Sequence, residues 1–265
     1  MARRHGRPLL WLLVLLLAGC AGLPAREPLS GPARMAVSAS FQEMAGRQRQ
    51  CPGSVDADIT LTLDSRFKAG TMSGYLQAKA PAFLKIVGVN PFGQPLVVLV
   101  SDGQNFKLAS LREARGYEGS VASDFFRRYA PAGFDPGRGF YVLTGKLAPG
   151  AVRILAISND PEGGGAWLEL DDGQGGNHRL VLFDPERRLL RRYLQLDEEG
   201  AVTMTIGYAD HYLGPCSLPG LITIKSSDHA GELLIRLTNW QTDTPFSAAD
   251  FALELPPGFE RVNVN

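Results

Sequence analysis

The chain has 265 residues, 27 basic and 27 acidic side chains and an ordinary hydrophobic content of 45%. The charge balance excludes the strong basic excess of a nucleic-acid-binding domain, and the length suits one large β domain or two small ones. Glycine (30) and proline (18) punctuate many short β-like runs, the mark of a chain that turns often.

The amino-terminal stretch carries Arg3, Arg4 and Arg7, then an apolar run from Leu9 to Leu17, then Ala18, Gly19 and Cys20. Basic end, short apolar run and small-residue cleavage site are the order of a secretory signal. The run is shorter than the roughly 20 residues that span a bilayer. Leu17-Ala18-Gly19-Cys20 resembles the lipobox of bacterial lipoproteins. That resemblance implies a signal peptide over residues 1–19, cut before Cys20, and a lipid anchor (a diacylglycerol and palmitate-type acyl chains) on that cysteine. An ordinary signal peptide with a chance cysteine is the alternative. Arg3-Arg4 also hints at twin-arginine export, but its flanking residues fit poorly.

If Cys20 is acylated, Cys51 and Cys216 remain. Two cysteines left over in an exported chain point to a disulfide joining the start of the domain to its late strands. Two separate thiols are the alternative. Neither cysteine stands beside a histidine, so a catalytic thiol has no local support.

Residues 21–34, with three prolines and no apolar periodicity, read as a flexible tether following Cys20. Met35 to Gln50 reads as a helix with Val37, Phe41 and Met44 near one face. From Ser54 to Asp64, Val55, Ala57, Ile59, Leu61 and Leu63 alternate with polar residues, the period of a strand with one wet and one apolar face. Further strands are expected from Met72 to Lys79, Phe83 to Val89, Leu96 to Ser101 and Asn105 to Ser110, with Asp102-Gly103 as a hairpin turn. Glu113 to Gly150 breaks the pattern. Ser123 or Asp124 caps a short helix there, and a long irregular segment of the kind that forms lids follows. Strands resume from Val152, Ala166, His178, Leu189, Ala201, Leu221 and Glu232, and a last one is expected over Phe251 to Leu255.

This inventory predicts a mainly β (α+β) fold of about eleven strands, all antiparallel by their short connections. So many one-sided strands need a cover, and the two helical stretches are too few to fill a wide sheet. The expectation is an apolar cavity lined by Ile59, Leu61, Leu76, Ile86, Phe106, Leu108, Leu168, Leu194, Met204, Ile222 and Leu233. A plainly packed β core is the alternative.

Two stretches carry a family resemblance. Phe83-Leu84-Lys85-Ile86-Val87-Gly88-Val89-Asn90-Pro91-Phe92-Gly93 is similar to a strand and the following Asn-Pro-apolar-Gly loop of the LolA/LolB lipoprotein-localisation family. Leu221 to Ile224, Glu232 to Trp240, and the closing Phe251-Ala-Leu-Glu-Leu-Pro-Pro-Gly-Phe259 resemble that family's final strands. The resemblance covers residues 35–265. It implies an open, half-closed antiparallel β-barrel with a helical lid over an apolar cavity that holds acyl chains. It implies a membrane-contact loop at Asn90, Pro91, Phe92 and Gly93, with Phe92 as the exposed apolar tip; aromatic side chains are favoured at membrane interfaces. Two features depart from the family pattern: the surplus length around Glu113–Gly150, and the pair Cys51 and Cys216.

Candidate catalytic and metal residues are sparse. His5, His178, His211 and His229 are scattered without metal-ligand spacing. There is no Gly-x-Ser-x-Gly elbow, and Gly163-Gly164-Gly165 reads as a turn rather than a phosphate loop. Asp56, Asp58 and Asp64 share a wet strand face. Arg187, Arg188, Arg191 and Arg192 read as a solvated hairpin face before an anionic-lipid site.

The resemblance therefore implies a monomeric non-enzyme without cofactor or metal, anchored at the inner leaflet of the outer membrane and facing the periplasm. It would receive an acylated lipoprotein or phospholipid, in the family from a soluble periplasmic carrier, and insert it. Ala21 is not the aspartate that signals inner-membrane retention. The alternative is an envelope sensor or assembly lipoprotein that uses the same fold to bind a protein partner.

Overall fold

The computed structural model describes residues 23–65, 69–150, 152–171, 179–228 and 231–264. The expected signal peptide, Cys20, His5, His178 and His229 lie outside these residues. In chain order the elements are β1 (Glu27–Pro28), α1 (Gly31–Gln48), β2 (Ser54–Ser65), β3 (Ala69–Lys79), β4 (Phe83–Val89), β5 (Pro95–Ser101), β6 (Asn105–Ser110) and β7 (Arg115–Ser120). Next come α2 (Asp124–Tyr129), a 3-10 turn over Pro136–Arg138 and α3 (Gly139–Thr144). The second half holds β8 (Arg153–Asn159), β9 (Ala166–Asp171), β10 (Arg179–Asp184), β11 (Leu189–Leu196), β12 (Val202–Ala209), β13 (Leu221–Ser226) and β14 (Gly231–Thr242). A 3-10 turn over Ala248–Phe251 and β15 (Glu260–Val264) close the chain.

Among the described residues the strands form one open sheet in the order β1-β8-β9-β10-β11-β12-β13-β14-β2-β3-β4-β5-β6-β7-β15. The alternation of β2 drives its central place: it pairs along nearly its whole length with β3 on one side and β14 on the other. Gly74 and Gly88 face each other across β3 and β4. A Cβ at Gly74 would run into the Val87 carbonyl, so these glycines let the two backbones approach closely.

The structure corrects several expectations. Among the described residues the sheet has fifteen strands rather than about eleven. One addition, β7, lies inside the stretch expected to break the strand pattern. Its glycines serve close packing: a side chain at Gly116 would meet Leu255, and one at Gly119 would meet the Val264 backbone. The sheet is not wholly antiparallel, since β15 runs parallel to β7. Residues 243–259 carry the chain from β14 across the outer face, where Lys79 and Lys85 donate to the Phe246 and Asp250 carbonyls, to the sheet edge at β7. Phe251, expected in a strand, instead ends a 3-10 turn and packs at a tilt against Phe83 at 5.4 Å and edge-on against Phe246 at 5.6 Å. The expected tether is also shortened. Residues 27 and 28 pair with β8, and α1 begins at Gly31, with Pro32 in its first turn where the missing N–H costs nothing.

Two apolar clusters flank the sheet. The inner one joins Phe41 and Met44 of α1 and Phe140 and Leu143 of α3 to strand residues including Val55, Leu76, Leu168, Ile206 and Ile222. The outer one gathers Trp167, Leu180, Leu182, Leu194 and Leu196 on β9 to β11.

Candidate functional site

The inner face is covered from one end. Along β2 the inward residues Val55, Ala57 and Ile59 are 0, 2 and 4% exposed; Leu61 is half-buried and Leu63 is 41% exposed. The same gradient runs along β14, where Leu237 and Ile235 are buried and Leu233 is half-buried. On β3, Ala78 and Leu76 are buried and Met72 is half-buried. The cover is α1 and α3, with Phe41 meeting Phe183 edge-on at 5.3 Å. Where these helices stop, Leu61, Leu63, Met72, Ile86 and Leu99 keep contact with solvent.

A crossing segment bridges the two halves of this face. Ser123 caps α2 by accepting from Phe126 N. Phe126 and Phe125 then pack on Phe106 of β6, and Phe125 stacks on Tyr117 of β7 at 5.1 Å. Ala132 N donates to Ser226 Oγ of β13 at 2.9 Å, and Phe134 packs into the inner cluster. Gly145, in the left-handed conformation, ends α3.

Between α1, residues 146–150 and 152, and β8 lies a cavity of about 1070 Å³, just above the roughly 300–1,000 Å³ range of ligand sites. Phe41, Ala45, Phe140, Leu147, Val152, Ile154 and Ile157 supply its apolar wall; Arg34, Gln42, Gln48, Arg49, Lys146 and Arg153 supply the polar part. Lys146 is buried and donates to the Pro52 carbonyl at 3.2 Å, with its ammonium 5.4 Å from the Phe140 ring centre. Burial pushes its pKa down to about 8, against the opposing pull of Asp243. Cys51, at the same end of α1, is bonded to Cys216, the disulfide expected from the sequence.

At the opposite end of the sheet the β4–β5 hairpin projects its tip. Asn90 builds that tip: its Oδ1 accepts from Phe92 N and Gln94 N at 2.9 and 3.0 Å, and its Nδ2 donates to Gln94 Oε1 at 2.9 Å. Gly93 takes a positive φ of 78°. With every turn amide occupied locally, Phe92 points away from the core and is 89% exposed. Leu63, Leu96 and Leu111, at this same end, are also exposed.

The register shows where the eleven expected lining residues sit. Ile59, Leu61, Leu76, Ile86, Phe106, Leu108, Leu168, Met204, Ile222 and Leu233 fall on the inner face. Leu194 pairs with Leu180 and belongs to the outer cluster. The wall of the large cavity is drawn from other residues. Ile59, Leu76, Leu168, Met204 and Ile222 are packed beneath the helices, and Phe106 lies beneath α2. Leu61, Ile86, Leu108 and Leu233 are half-buried on the uncovered part. The two helices thus fill the strand face they reach and leave the hollow along their own flank. Among the described residues no three His, Cys, Asp or Glu side chains cluster to hold a metal ion. Arg188 and Arg191 pair with Glu43 and Asp184 at 3.0 and 3.3 Å.

No family model and no curated protein matches the sequence. Solved structures do match in shape. A DUF1329 family protein from Desulfovibrio piger superposes with a TM-score of 0.56 at 12% identity, over 82% of this chain and 97% of that one. A LolA superfamily protein from Nitrosomonas europaea gives 0.55 at 9%, over 80% and 97%. A domain from Vibrio parahaemolyticus assigned to outer membrane lipoprotein sorting gives 0.51 at 14%, over 83% and 97%. The chain has a LolA-type fold. Within that fold, the cavity wall is what reading the sequence strand by strand misses. Phe140, Tyr141, Lys146, Leu147 and Val152 come from a helix and a loop, where period-two alternation says nothing. One signal was available: Arg34, Ser38, Phe41, Ala45 and Gln48 recur at three- and four-residue spacing along one side of α1.

Proposed function

We propose that this LolA-fold chain is a monomeric, lipid-anchored acyl-chain carrier. It is held at the inner leaflet of the outer membrane by Cys20 and faces the periplasm. It takes an acylated lipoprotein or phospholipid, from a soluble periplasmic carrier where one exists, and passes it into the membrane. The observation that carries this reading is the cavity of about 1070 Å³ with an apolar wall, on the helix-covered side of an open sheet. The lipoprotein-sorting assignment of the Vibrio domain, which shares the fold, supports it.

The chemistry needed is a transfer equilibrium. Each methylene moved out of water contributes about 0.8 kcal/mol, and a bilayer offers the same gain. The cavity therefore only has to hold acyl chains more tightly than the donor does and less tightly than the membrane. Phe92 supplies the contact for release: an aromatic ring on a hairpin tip enters the interfacial zone without unpacking the core. The test is a two-stage transfer assay with an acylated lipoprotein and vesicles of outer-membrane phospholipid. Phe92→Asp is expected to keep the cargo but to slow its delivery to vesicles by roughly tenfold or more. Delivery by the variant at the wild-type rate, or failure of the wild type to retain any cargo, contradicts the proposal.

A further inference from the structure

The cavity wall is electrostatically one-sided. It includes the basic residues Arg34, Arg49, Lys146 and Arg153 and no carboxylate, in a chain whose basic and acidic residues are equal in number. Arg153 is committed to Asp171 at 2.7 Å. Asp243, whose charge reaches Lys146, lies off the wall. Neither Arg34 nor Arg49 has an ion pair among the described residues. The cations are also not evenly spread. Gln48 Oε1 accepts from Leu147 N at 3.0 Å, and Lys146 Nζ donates to Pro52 O at 3.2 Å. Both bonds pin Lys146 beside the carboxyl-terminal end of α1, where Arg49 stands. Arg34 lies about 22 Å away along the helix at 1.5 Å per residue, beyond reach of the same small group.

An acyl chain alone requires none of these charges, and placing a buried ammonium on an apolar wall is costly unless an anion answers it. We propose that the cavity selects an amphiphile with an anionic head: the tail lies against Phe41, Phe140 and Ile154, and the head is held by Arg49 and Lys146. This rests on the acyl-binding reading above and narrows it. The shared chemistry is one or two acyl chains next to a carboxylate or a phosphate, from a free fatty acid or from a phospholipid.

The test uses the full chain stripped of co-purified lipid and loaded with a fluorescent 16-carbon fatty acid. Palmitate, methyl palmitate, phosphatidylglycerol and diacylglycerol compete for it. Palmitate is expected to displace the probe at lower concentration than its methyl ester, or phosphatidylglycerol at lower concentration than diacylglycerol; the pair that separates names carboxylate or phosphate as the source. Arg49→Gln is expected to weaken the charged competitor by roughly three- to fivefold and to leave the uncharged one alone. Arg34→Gln is expected to change neither. Equal displacement by charged and uncharged competitors, or an Arg49→Gln effect shared by both, overturns the head-group assignment alone. Failure of the probe to bind at all overturns it together with the acyl-carrier reading.

Discussion

Phe92 gives up the roughly 1.5–3 kcal/mol that burying a large apolar side chain contributes, and the turn around it is built to keep it that way. Asn90 satisfies the tip amides, and Gly93 supplies the left-handed residue the reversal needs. Because the ring touches little, Phe92→Asp should leave the urea midpoint unchanged within about 0.5 kcal/mol; a larger loss would mean the ring is packed in solution. Lys146 is the opposite case, a cation held where water is scarce. Its pKa falls from 10.5 in the unfolded chain to about 8 in the folded one. Below pH 8 both states carry the proton, and the folded state bears the cost of the buried charge. As pH rises through 8 the folded state releases the proton, and by 10.5 the cost is gone. Relative to Lys146→Met, wild-type stability should therefore rise between pH 7.5 and pH 9.5, measured as urea midpoints. Parallel pH profiles for the two proteins would contradict that environment for Lys146.

At the scale of elements, α1 is held by few contacts. Most of its residues are small or polar, and only Phe41 and Met44 are buried. Its carboxyl-terminal end is instead tied across the molecule by Cys51–Cys216, two residues 165 apart in sequence. Chain entropy gives such a loop about 4–5 kcal/mol as an upper figure. Replacing both cysteines by serine should lower the unfolding free energy by a large part of that, and should loosen α1 first, seen as faster amide exchange over residues 31–48. Unchanged stability would show that α1 is anchored by packing alone. Elements with one wet face were legible in the sequence: β2 announces itself by five apolar residues at alternate positions, and β3 follows the same rule. Which way each residue faces in a strand of mixed pattern was not. In β11, Leu189, Leu190, Leu194, Gln195 and Leu196 are all buried, and β-bulges interrupt its pairing on both sides. Counting in twos therefore assigns Leu194 to the wrong face. β7 hides behind two glycines that serve close packing, and β15 is invisible because its parallel partner lies far back in the chain.

For the whole molecule, the order of strands and the placement of the helices set what is possible. A sheet this wide presents more apolar inner face than α1, α3 and one crossing segment cover. The uncovered remainder falls in two places, a hollow beside α1 and a wet strip running toward the Phe92 end. The strand residues under the helices are packed tight, so the hollow lies along the flank of α1 rather than on the strand faces that period-two alternation marks. The fold is shared with proteins at 9–14% identity, so what persists is the layout of sheet and helices rather than particular side chains. Whether acyl chains enter the hollow is decided most directly by crystals of the chain grown with bromine-tipped palmitate, using the anomalous signal of bromine. The expected result is a peak inside the space bounded by Phe41, Phe140, Ile154 and Ile157. Peaks confined to the outer surface, or none at all, would contradict it.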